Sequence, residues 1–510
     1  MKKINLNGDN LSLKNIIEVA RNSRPVKLGE EAIQKINDAR AIVDEFVEKE
    51  EVVYGITTGF GELSEVFISK DQTEDLQHNL IKSHACGVGE CFEQEVVRAI
   101  MLLRINALAK GVSGIRLQAL ETLIEMLNKG VHPVIPEKGS LGASGDLAPL
   151  AHMVLVMIGE GEAFYEGKRM HGQKAMQKAG IELVQLKAKE GLALINGTPV
   201  MTAVGALTVY DAINLSKLAD ISSALTLEAL NGVTDAFDEK VHKARPHKYQ
   251  ITCAENLLRL TEDSDMTTRQ GELRVQDAYT LRCIPQIHGA SRDAIDYAQE
   301  KIEIEMNSAT DNPLIFTEEK EVISGGNFHG QPLALTFDFL STAISELANV
   351  SERRIERLVN PRLSGLPPFL TEEGGVNSGF MISQYTSASL VSENKVLAHP
   401  ASVDSIPSSA NKEDHVSMGT TAARQAKDIL YNTSRVIAVE LLAAAQAIDL
   451  NSSQVEDLGK GTTVAYKKIR EKIDKLDQDR VMYKDINKSV ELIEDEVIVK
   501  AVEEEIGQLE

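Results

Sequence analysis

The chain has 510 residues, more than the roughly 250–300 at which one hydrophobic core stops growing, so two or three substructures or one multilayer assembly are expected. Hydrophobic residues make up 43% of the chain and charged residues 25%, a balance typical of globular proteins. The formal net charge of -22 disfavours nucleic acids and anionic membranes as partners, because both require a basic surface.

The beginning of the chain, MKKINLNGDNLSL, predicts no signal peptide, because no apolar run follows its lysines. The most apolar stretch, residues 441–447, is far shorter than the ~20 residues that a membrane-spanning helix needs. The cysteines are too sparse for a disulfide framework, which favours a reducing cytoplasm as the location. They are Cys86, Cys91, Cys253 and Cys283.

Helical periodicity dominates the first half of the chain. Residues 95–111 carry apolar side chains at three- and four-residue spacing, which predicts an amphipathic helix. Ser113 is suited to cap a second helix over residues 114–129, and Gly130 is suited to end it.

Longer helices are predicted further along. Pro133 and Pro136 first impose a non-helical loop. Residues 332–359 then read as one helix, and residues 415–450 lack proline and at ~1.5 Å per residue could span about 50 Å. Helices of this length with alanine-rich faces usually pack in a bundle. The charge-dense tail after about residue 451 suits an amphipathic surface or interface helix.

These patterns predict an all-α, mainly helical protein. Strand-like runs are few and short, such as residues 51–56 and 321–324. Domain boundaries are weakly marked. We place a division near residue 200, with residues 1–200 as an N-terminal part and residues 201–510 as a long-helix bundle with C-terminal helices.

The most unusual segment is GSLGASGDLAPLAH, residues 139–152. Gly142 and Gly145 lack the Cβ that hinders a very tight turn. If the turn brings the Gly145 nitrogen onto the Ala143 carbonyl carbon, a five-membered ring can close with loss of water. Loss of the Ser144 hydroxyl as a second water would leave a conjugated methylidene, an electrophile that no unmodified side chain provides. The amides at the start of the following helix would favour negative charge developing there.

Together with seven other segments, this stretch closely resembles the aromatic amino acid ammonia-lyases and aminomutases that carry a methylidene-imidazolone group. The similarity runs through most of the chain. The other segments are YGITTGFG (54–61), SHACGVG (83–89), LINGT (194–198), QDAYTLRCIPQIHG (276–289), DNPL (311–314), GGNFHG (325–330) and SANKEDHVSMG (409–419).

The resemblance implies a long-helix bundle like that of the aspartase-like lyases. It implies a 4-methylidene-imidazol-5-one formed from Ala143, Ser144 and Gly145, which lie in the N-terminal part, and no external cofactor. It also implies a homotetramer in which the active sites combine residues from more than one subunit. The long apolar-faced helices are compatible with such an assembly.

The resemblance makes Tyr54 the candidate base for removal of the substrate's β-proton. Tyr279 resembles a proton-transfer or ring-assembly partner in a second active-site loop. A phenol needs a lowered pKa to act as a base near neutral pH. Which of the two tyrosines takes the proton stays open, as does whether the substrate's amine or its ring attacks the electrophile.

The resemblance also implies substrate-binding roles. Arg282 suits the substrate carboxylate, because a guanidinium forms a bidentate pair with it. Asn196 resembles a residue that contacts the electrophile and the substrate. Gln276 and Phe328 resemble residues that line the pocket.

Within the family, the Ser83–His84 pair and the Glu413 segment resemble the branch that acts on histidine. A carboxylate can accept the imidazole N–H, which a phenyl ring does not offer, and such a site discriminates strongly against analogues that lack the donor. Met381 resembles a residue that packs on the imidazole face. The implied reaction converts L-histidine to trans-urocanate and ammonia, the first step of histidine breakdown.

Two alternatives are carried forward. The first is a phenylalanine or tyrosine ammonia-lyase, or an aminomutase, on the same scaffold. The second is a non-catalytic helical scaffold, or a lyase without the modified group. No metal site is predicted, because His84, Cys86 and Cys91 lack a second ligand pair and match no structural zinc pattern.

Overall fold

The computed structural model of the protein describes residues 2–53, 55–56, 58, 68, 72–451 and 455–510, and the structural statements below concern these residues. Within them the chain is mainly α-helical, which confirms the predicted fold class. The α-helices are α1 (Leu13–Ala20), α2 (Glu30–Glu48), α3 (Thr73–His84), α4 (Gln94–Ala109), α5 (Leu117–Lys129), α6 (Leu147–Met157), α7 (Gly172–Ala179), α8 (Glu190–Ile195), α9 (Pro199–Ala229), α10 (Glu239–Lys243), α11 (Lys248–Leu260), α12 (Tyr279–Arg282), α13 (Ile284–Met306), α14 (Gln331–Val359), α15 (Pro361–Ser364), α16 (Met381–Leu397), α17 (Gly419–Leu450), α18 (Lys460–Lys472), α19 (Met482–Glu494) and α20 (Val497–Ile506).

The strands of the described residues are short and form small sheets. They are β1 (Ile4–Leu6), β2 (Val26–Leu28), β3 (Val88–Cys91), β4 (His132–Pro133), β5 (Pro136–Lys138), β6 (Glu162–Tyr165), β7 (Lys168–His171), β8 (Leu314–Phe316) and β9 (Glu321–Ile323). Strand β1 pairs with β2 in parallel, whereas β3–β5, β4–β6–β7 and β8–β9 are antiparallel. None of the described helices combines the length and the apolarity that a bilayer crossing requires.

Backbone contacts divide the chain into two compact units, each made from three stretches of sequence. The first unit comprises Met1–Leu207, Gln299–Asp338 and Pro400–Arg424. The second comprises Thr208–Ala298, Phe339–His399 and Gln425–Glu510. The organisation into residues 1–200 and 201–510 makes a single division along the chain and stays a prediction.

Helices α4 and α5 match the first two predicted helices, and Gly130 ends α5 in a left-handed conformation, with φ +76°. The predicted cap Ser113 is wrong, because the residue in the N-cap position of α5 is Arg116. Gly114 has φ +69°, which bends the backbone one residue after Ser113, before a helix can start. The Ser113 hydroxyl is buried, and no described group pairs with it.

The later helices differ from prediction mainly at their ends. Helix α14 agrees with the helix predicted over residues 332–359, whereas α17 begins at Gly419 and not at His415. Met418, immediately before α17, has φ +57°, which is incompatible with a helix continuing through it. The tail after about residue 451 forms three α-helices, α18, α19 and α20, rather than one, and Glu496, with φ +57°, separates the last two. Strand β9 confirms the second predicted strand, and the described part of residues 51–56 forms no strand.

The core of the second unit contains a buried polar network. The Asp220 carboxylate accepts hydrogen bonds from Arg292 Nη2 at 2.7 Å and from His288 Nδ1 at 2.8 Å, and all three side chains are nearly inaccessible to solvent. Asp220, His288 and Cys253 are close enough to surround a metal ion. The arginine already neutralises the carboxylate and would repel a cation, so we interpret this cluster as a structural ion-pair network.

Candidate active site

The loop between β5 and α6 makes two left-handed bends. Gly142 and Gly145 both have φ +72°. A Cβ on Gly145 would lie 2.0 Å from the carbonyl oxygen of Gly197, so no larger residue fits without moving the backbone. The Gly145 amide nitrogen donates no hydrogen bond to any residue in the described part of the chain. Among the described residues, this nitrogen thus has no hydrogen-bond acceptor.

Backbone hydrogen bonds hold the loop from two sides. On one side, Gly197 N donates to Ser144 O at 3.2 Å and Asp146 N donates to Gly197 O at 2.7 Å. On the other side, Ser417 N donates to Gly142 O at 3.2 Å. The bend is thus fixed by residues that are distant in sequence.

Asp146 anchors the end of the loop. Its buried carboxylate accepts hydrogen bonds from the amides of Val200 at 2.9 Å and Met201 at 3.0 Å, in the first turn of α9. The hydroxyls of Ser140 and Thr420 donate to its other oxygen, at 2.9 Å and 2.5 Å. Burial raises the pKa of Asp146, and these hydrogen bonds oppose that effect. Asp146 thus caps α9, although it directly precedes α6 in sequence.

A cavity of about 400 Å³ opens beside the loop. Its lining residues all belong to the first unit and are Ala143, Ser144, Leu192, Asn196, Asn312, Ser324, Gly325, Phe328, His329, Lys412, Glu413, Asp414 and His415. The Ser144 hydroxyl donates to Glu413 Oε1 at 3.0 Å, and the Ser408 hydroxyl donates to Oε2 at 2.7 Å. Ala143 packs against Val416. The structure therefore brings five predicted site residues to one cavity, namely Ala143, Ser144, Asn196, Phe328 and Glu413.

Asn196 lies at the base of this cavity and is 2% exposed. Its Nδ2 donates to Asp311 Oδ1 at 3.1 Å and to the carbonyl oxygen of Asn312 at 3.2 Å. Arg104 Nη1 donates to the backbone oxygen of Asn196 at 2.5 Å. The side-chain oxygen, Oδ1, is buried, and no described group donates to it.

The β8–β9 hairpin positions further cavity residues. Asn312 precedes β8, and Ser324 and Gly325 follow β9. Asn312 Nδ2 donates to Ser324 Oγ at 3.2 Å, and Gly325 N donates to Asn312 Oδ1 at 2.6 Å. These two bonds tie both ends of the hairpin together at the cavity wall.

His84 ends α3 and is half-buried, and its Nδ1 lies 3.1 Å from the Ser83 hydroxyl. Burial lowers the pKa of His84, while the negative charge of Glu413 opposes this shift. Burial thus favours the neutral form of the imidazole, which can both donate and accept a hydrogen bond.

Four other predicted residues, Gln276, Tyr279, Arg282 and Met381, belong to the second unit. Tyr279 begins α12 and is 69% exposed, and the Arg282 guanidinium lies 4.8 Å from the centre of its ring. Arg282 Nε donates to the backbone oxygen of Asp277 at 3.0 Å. Gln276 is exposed, and Met381, the first residue of α16, is half-buried. Tyr54 lies outside the described residues.

Sequence reasoning missed a pair of histidines at the cavity. The rings of His329 and His415 stack with centroids 5.5 Å apart, and His415 Nδ1 lies 3.4 Å from His329 Nε2. Both residues lie in segments that carry the family resemblance, GGNFHG and SANKEDHVSMG, which was the available signal.

Sequence reasoning also missed the buried charges next to Asn196, which are Arg104, Lys189 and Asp311. Lys189 Nζ lies 2.7 Å from Asp311 Oδ2, and both side chains are almost inaccessible to solvent. Burial lowers the pKa of Arg104 to about 10. The signal for Arg104 was an arginine within the apolar run MLLRINALA.

Known proteins resemble this chain over nearly its whole length. The family profile described as aromatic amino acid lyase matches residues 11–471. The histidine ammonia-lyase of Alkaliphilus oremlandii is 67% identical over 506 residues, which cover 99% of both chains. The histidine ammonia-lyase of Caldanaerobacter subterraneus subsp. tengcongensis is 61% identical over 510 residues, which cover 100% of both chains.

Solved structures give the same picture. The crystal structure of histidine ammonia-lyase from Trypanosoma cruzi has a TM-score of 0.92 and 41% identity, covering 99% of this chain and 95% of that one. The crystal structure of tyrosine aminomutase from Streptomyces globisporus has a TM-score of 0.96 and 39% identity, covering 100% of both chains. The similarity thus includes enzymes named for different substrates.

Proposed function

Since the chain belongs to the aromatic amino acid lyase family, we propose that it converts L-histidine to trans-urocanate and ammonia, the first step of histidine breakdown. Support comes from relatives named histidine ammonia-lyase that are 57–67% identical over 98–100% of their length.

The position of Glu413 carries the proposal. Its carboxylate lines the cavity within 3.0 Å of the Ser144 hydroxyl. A carboxylate in this place can accept the N–H of an imidazole ring. A phenyl ring offers no donor and would leave Glu413 Oε1 unpaired once the Ser144 hydroxyl has left as water, which is unfavourable in a partly buried site. The cavity chemistry therefore favours histidine over phenylalanine.

The loop fits a 4-methylidene-imidazol-5-one formed from Ala143, Ser144 and Gly145. The left-handed bend at Gly145 suits ring closure onto the Ala143 carbonyl, as does its amide nitrogen, which donates to no described residue. The Ser144 hydroxyl is available to leave as water. Once formed, the group would supply an electrophilic carbon for the substrate. We propose that the protein needs no external cofactor.

Side chains of this protein, contributed by more than one subunit, would bind and orient the substrate. We propose that Arg282 pairs with the carboxylate, Glu413 accepts the imidazole N–H and Asn196 Oδ1 accepts a hydrogen bond from the amino group. Further substrate-binding residues in this proposal are His84, Gln276, Phe328 and Met381.

A tyrosine would take the β-proton, and the candidates are Tyr54 and Tyr279. The variants Tyr54→Phe and Tyr279→Phe remove one phenol each while keeping the ring. We expect the variant that lacks the base to lose turnover while it still binds histidine.

We propose a homotetramer in which more than one subunit contributes to each active site. Tyr279 is 69% exposed on its own chain, and a neighbouring subunit could cover it. All four cysteines are free, which supports a reducing location, and we propose the cytoplasm. Light scattering of the purified protein measures the number of subunits.

The test compares histidine, phenylalanine and tyrosine as substrates at equal concentration. We expect the ultraviolet absorbance of urocanate to appear with histidine, and product from the other two to be much slower. Faster release of a phenylalanine or tyrosine product would replace the proposal with the corresponding lyase or aminomutase. No turnover together with an intact mass lacking the loss of two waters would indicate a protein without the modified group.

A further inference from the structure

We infer that Asp311, held by Lys189, is a positioning residue that fixes the Asn196 side chain with its carbonyl oxygen facing the amino group of the substrate. The inference rests on the proposed function, because it concerns the substrate proposed there. It adds two buried residues that do not line the cavity themselves.

The neighbours of Asn196 determine which way its amide faces. The two groups nearest to its nitrogen are a carboxylate oxygen of Asp311, at 3.1 Å, and the carbonyl oxygen of Asn312, at 3.2 Å. Both groups only accept hydrogen bonds, so the amide nitrogen must face them. The amide oxygen is thereby left without a donor among the described residues, at a residue that lines the cavity.

Lys189 keeps the Asp311 carboxylate in place. Its Nζ lies 2.7 Å from Asp311 Oδ2, while Oδ1 accepts the Asn196 amide and the backbone N–H of Asn312, the latter at 2.7 Å. Both oxygens of the carboxylate are therefore occupied, and the carboxylate has little freedom to rotate.

The side chains of Lys189, Asp311 and Asn196 connect the two ends of the short helix α8. Lys189 directly precedes α8 and Asn196 directly follows it, so Asp311 contacts residues at both ends. Lys189 has φ +73°, which is unusual for a residue other than glycine. Asp311 thus links the residues at the two ends of α8.

The oriented oxygen calls for a donor in the cavity. A buried acceptor without a partner is unfavourable, so a ligand in the cavity whose N–H donor reaches this oxygen gains a hydrogen bond that the free protein lacks. The amino group of histidine is such a donor, and Asn196 shares the cavity with Ser144 and Glu413. An amide turned by 180° would present N–H groups instead and would repel a protonated amine.

The test replaces the ion pair by neutral side chains of similar shape, Lys189→Met together with Asp311→Asn. The asparagine introduced at position 311 can present either its oxygen or its nitrogen to Asn196, so the orientation is no longer fixed. We expect kcat/KM for histidine to fall about tenfold or more, the loss typical of one charge-assisted hydrogen bond. The same change in an Asn196→Ala background should have less than about a twofold further effect, because Asp311 acts through Asn196.

A ligand without the amino group separates positioning from general damage. Binding of imidazole-4-propionate, which is histidine without its amino group, should change less than about twofold in the neutral-pair variant, because its other contacts are retained. Equal losses for histidine and imidazole-4-propionate would overturn the inference. So would additive effects of the ion-pair and Asn196 substitutions.

The control is the ion pair Lys217–Glu503 in the second unit, whose Nζ–Oε1 distance of 2.7 Å equals the Nζ–Oδ2 distance of Lys189–Asp311 and whose side chains are mostly buried. Lys217→Met with Glu503→Gln removes a lysine–carboxylate pair that contacts neither Asn196 nor α8, and it should leave histidine turnover within about twofold of the parent. If the neutral-pair variant does not fold, Asp311→Glu keeps the charge, shifts the carboxylate and enters the same comparisons. A parent protein that produces no urocanate would instead refute the proposed function.

Discussion

Gly145→Ala tests whether the tight bend of the loop is required. The substitution adds one methyl group at a position with φ +72°, where the Cβ would lie 2.0 Å from Gly197 O and 2.2 Å from Gly197 C. Both are backbone atoms that cannot rotate away as a side chain would. Either the loop or residues 196–198 must therefore move.

The loss of stability expected in Gly145→Ala has two parts. A left-handed conformation costs a residue other than glycine about 1 kcal/mol or slightly more. Forcing a methyl group into closely packed atoms costs about 1–3 kcal/mol in addition. Gly167, in the turn between β6 and β7, has the same φ of +72° and no atom within 4 Å of its Cβ position. Gly167→Ala is therefore a matched control that carries only the first part.

The assays are thermal melting and intact mass. We expect Gly145→Ala to lower Tm by at least about twice as much as Gly167→Ala, since Tm shifts roughly in proportion to the lost stability. The parent and Gly167→Ala should weigh less than the linear chain by two water molecules, whereas Gly145→Ala should retain the linear mass. If Gly145→Ala loses both waters and has the same Tm as Gly167→Ala, the close approach to Gly197 is not what shapes the loop.

Three further changes test other parts of the molecule. Ser144→Ala should remove nearly all turnover while the protein still folds, because the hydroxyl that must leave is absent. Glu413→Gln should lower kcat/KM for histidine about 10- to 100-fold, the range for loss of a charged hydrogen-bond partner. Burial raises the pKa of Glu228 from 4.5 to about 7. The folded state then holds a proton that the unfolded chain releases above about pH 4.5, so the free energy of unfolding decreases as the pH rises from about 4.5 towards 7. Glutamine does not titrate, so Glu228→Gln should remove about 3 kcal/mol of this decrease.

Each change has a control and a contradicting result. Ser408→Ala removes the other hydroxyl that donates to Glu413, and this variant should still lose the two waters. Normal turnover by Ser144→Ala would refute the proposed electrophile. An unchanged rate in Glu413→Gln would remove its role in substrate choice. For Glu228, the Tm difference between variant and parent is measured at about pH 5 and about pH 8. A difference that does not grow with pH would show that Glu228 is ionised in the folded state.

The helices could be predicted wherever their signal is local. The apolar periodicity of α4 and α14 lies within one continuous stretch of residues each, so the existence and approximate lengths of both helices could be predicted from the sequence. Their exact ends were harder. Met418 and Glu496 adopt left-handed conformations, and neither residue type indicates this in advance, because tertiary contacts impose it.

In the candidate site, too, individual residues could be predicted, whereas contacts between distant parts of the chain could not. Ser144 and Glu413 were both expected in it, Glu413 only through the family resemblance. Their hydrogen bond joins positions 269 residues apart, which no local pattern encodes. The buried pair Lys189–Asp311 was missed for a related reason. A single lysine next to a short apolar segment looks like a surface residue until its partner is brought to it.

The distances along the chain also bear on the ring closure that we propose for a common tripeptide. Ala-Ser-Gly occurs in many proteins without cyclising, because a free peptide rarely holds its nitrogen against the carbonyl two residues earlier. In this protein the bend is fixed by Gly197, by Ser417 and by the contact of Asp146 with the first turn of α9. These partners come together only when the first unit has folded. We therefore expect the proposed ring closure to follow folding and not to precede it, since the unfolded chain lacks these constraints on the bend.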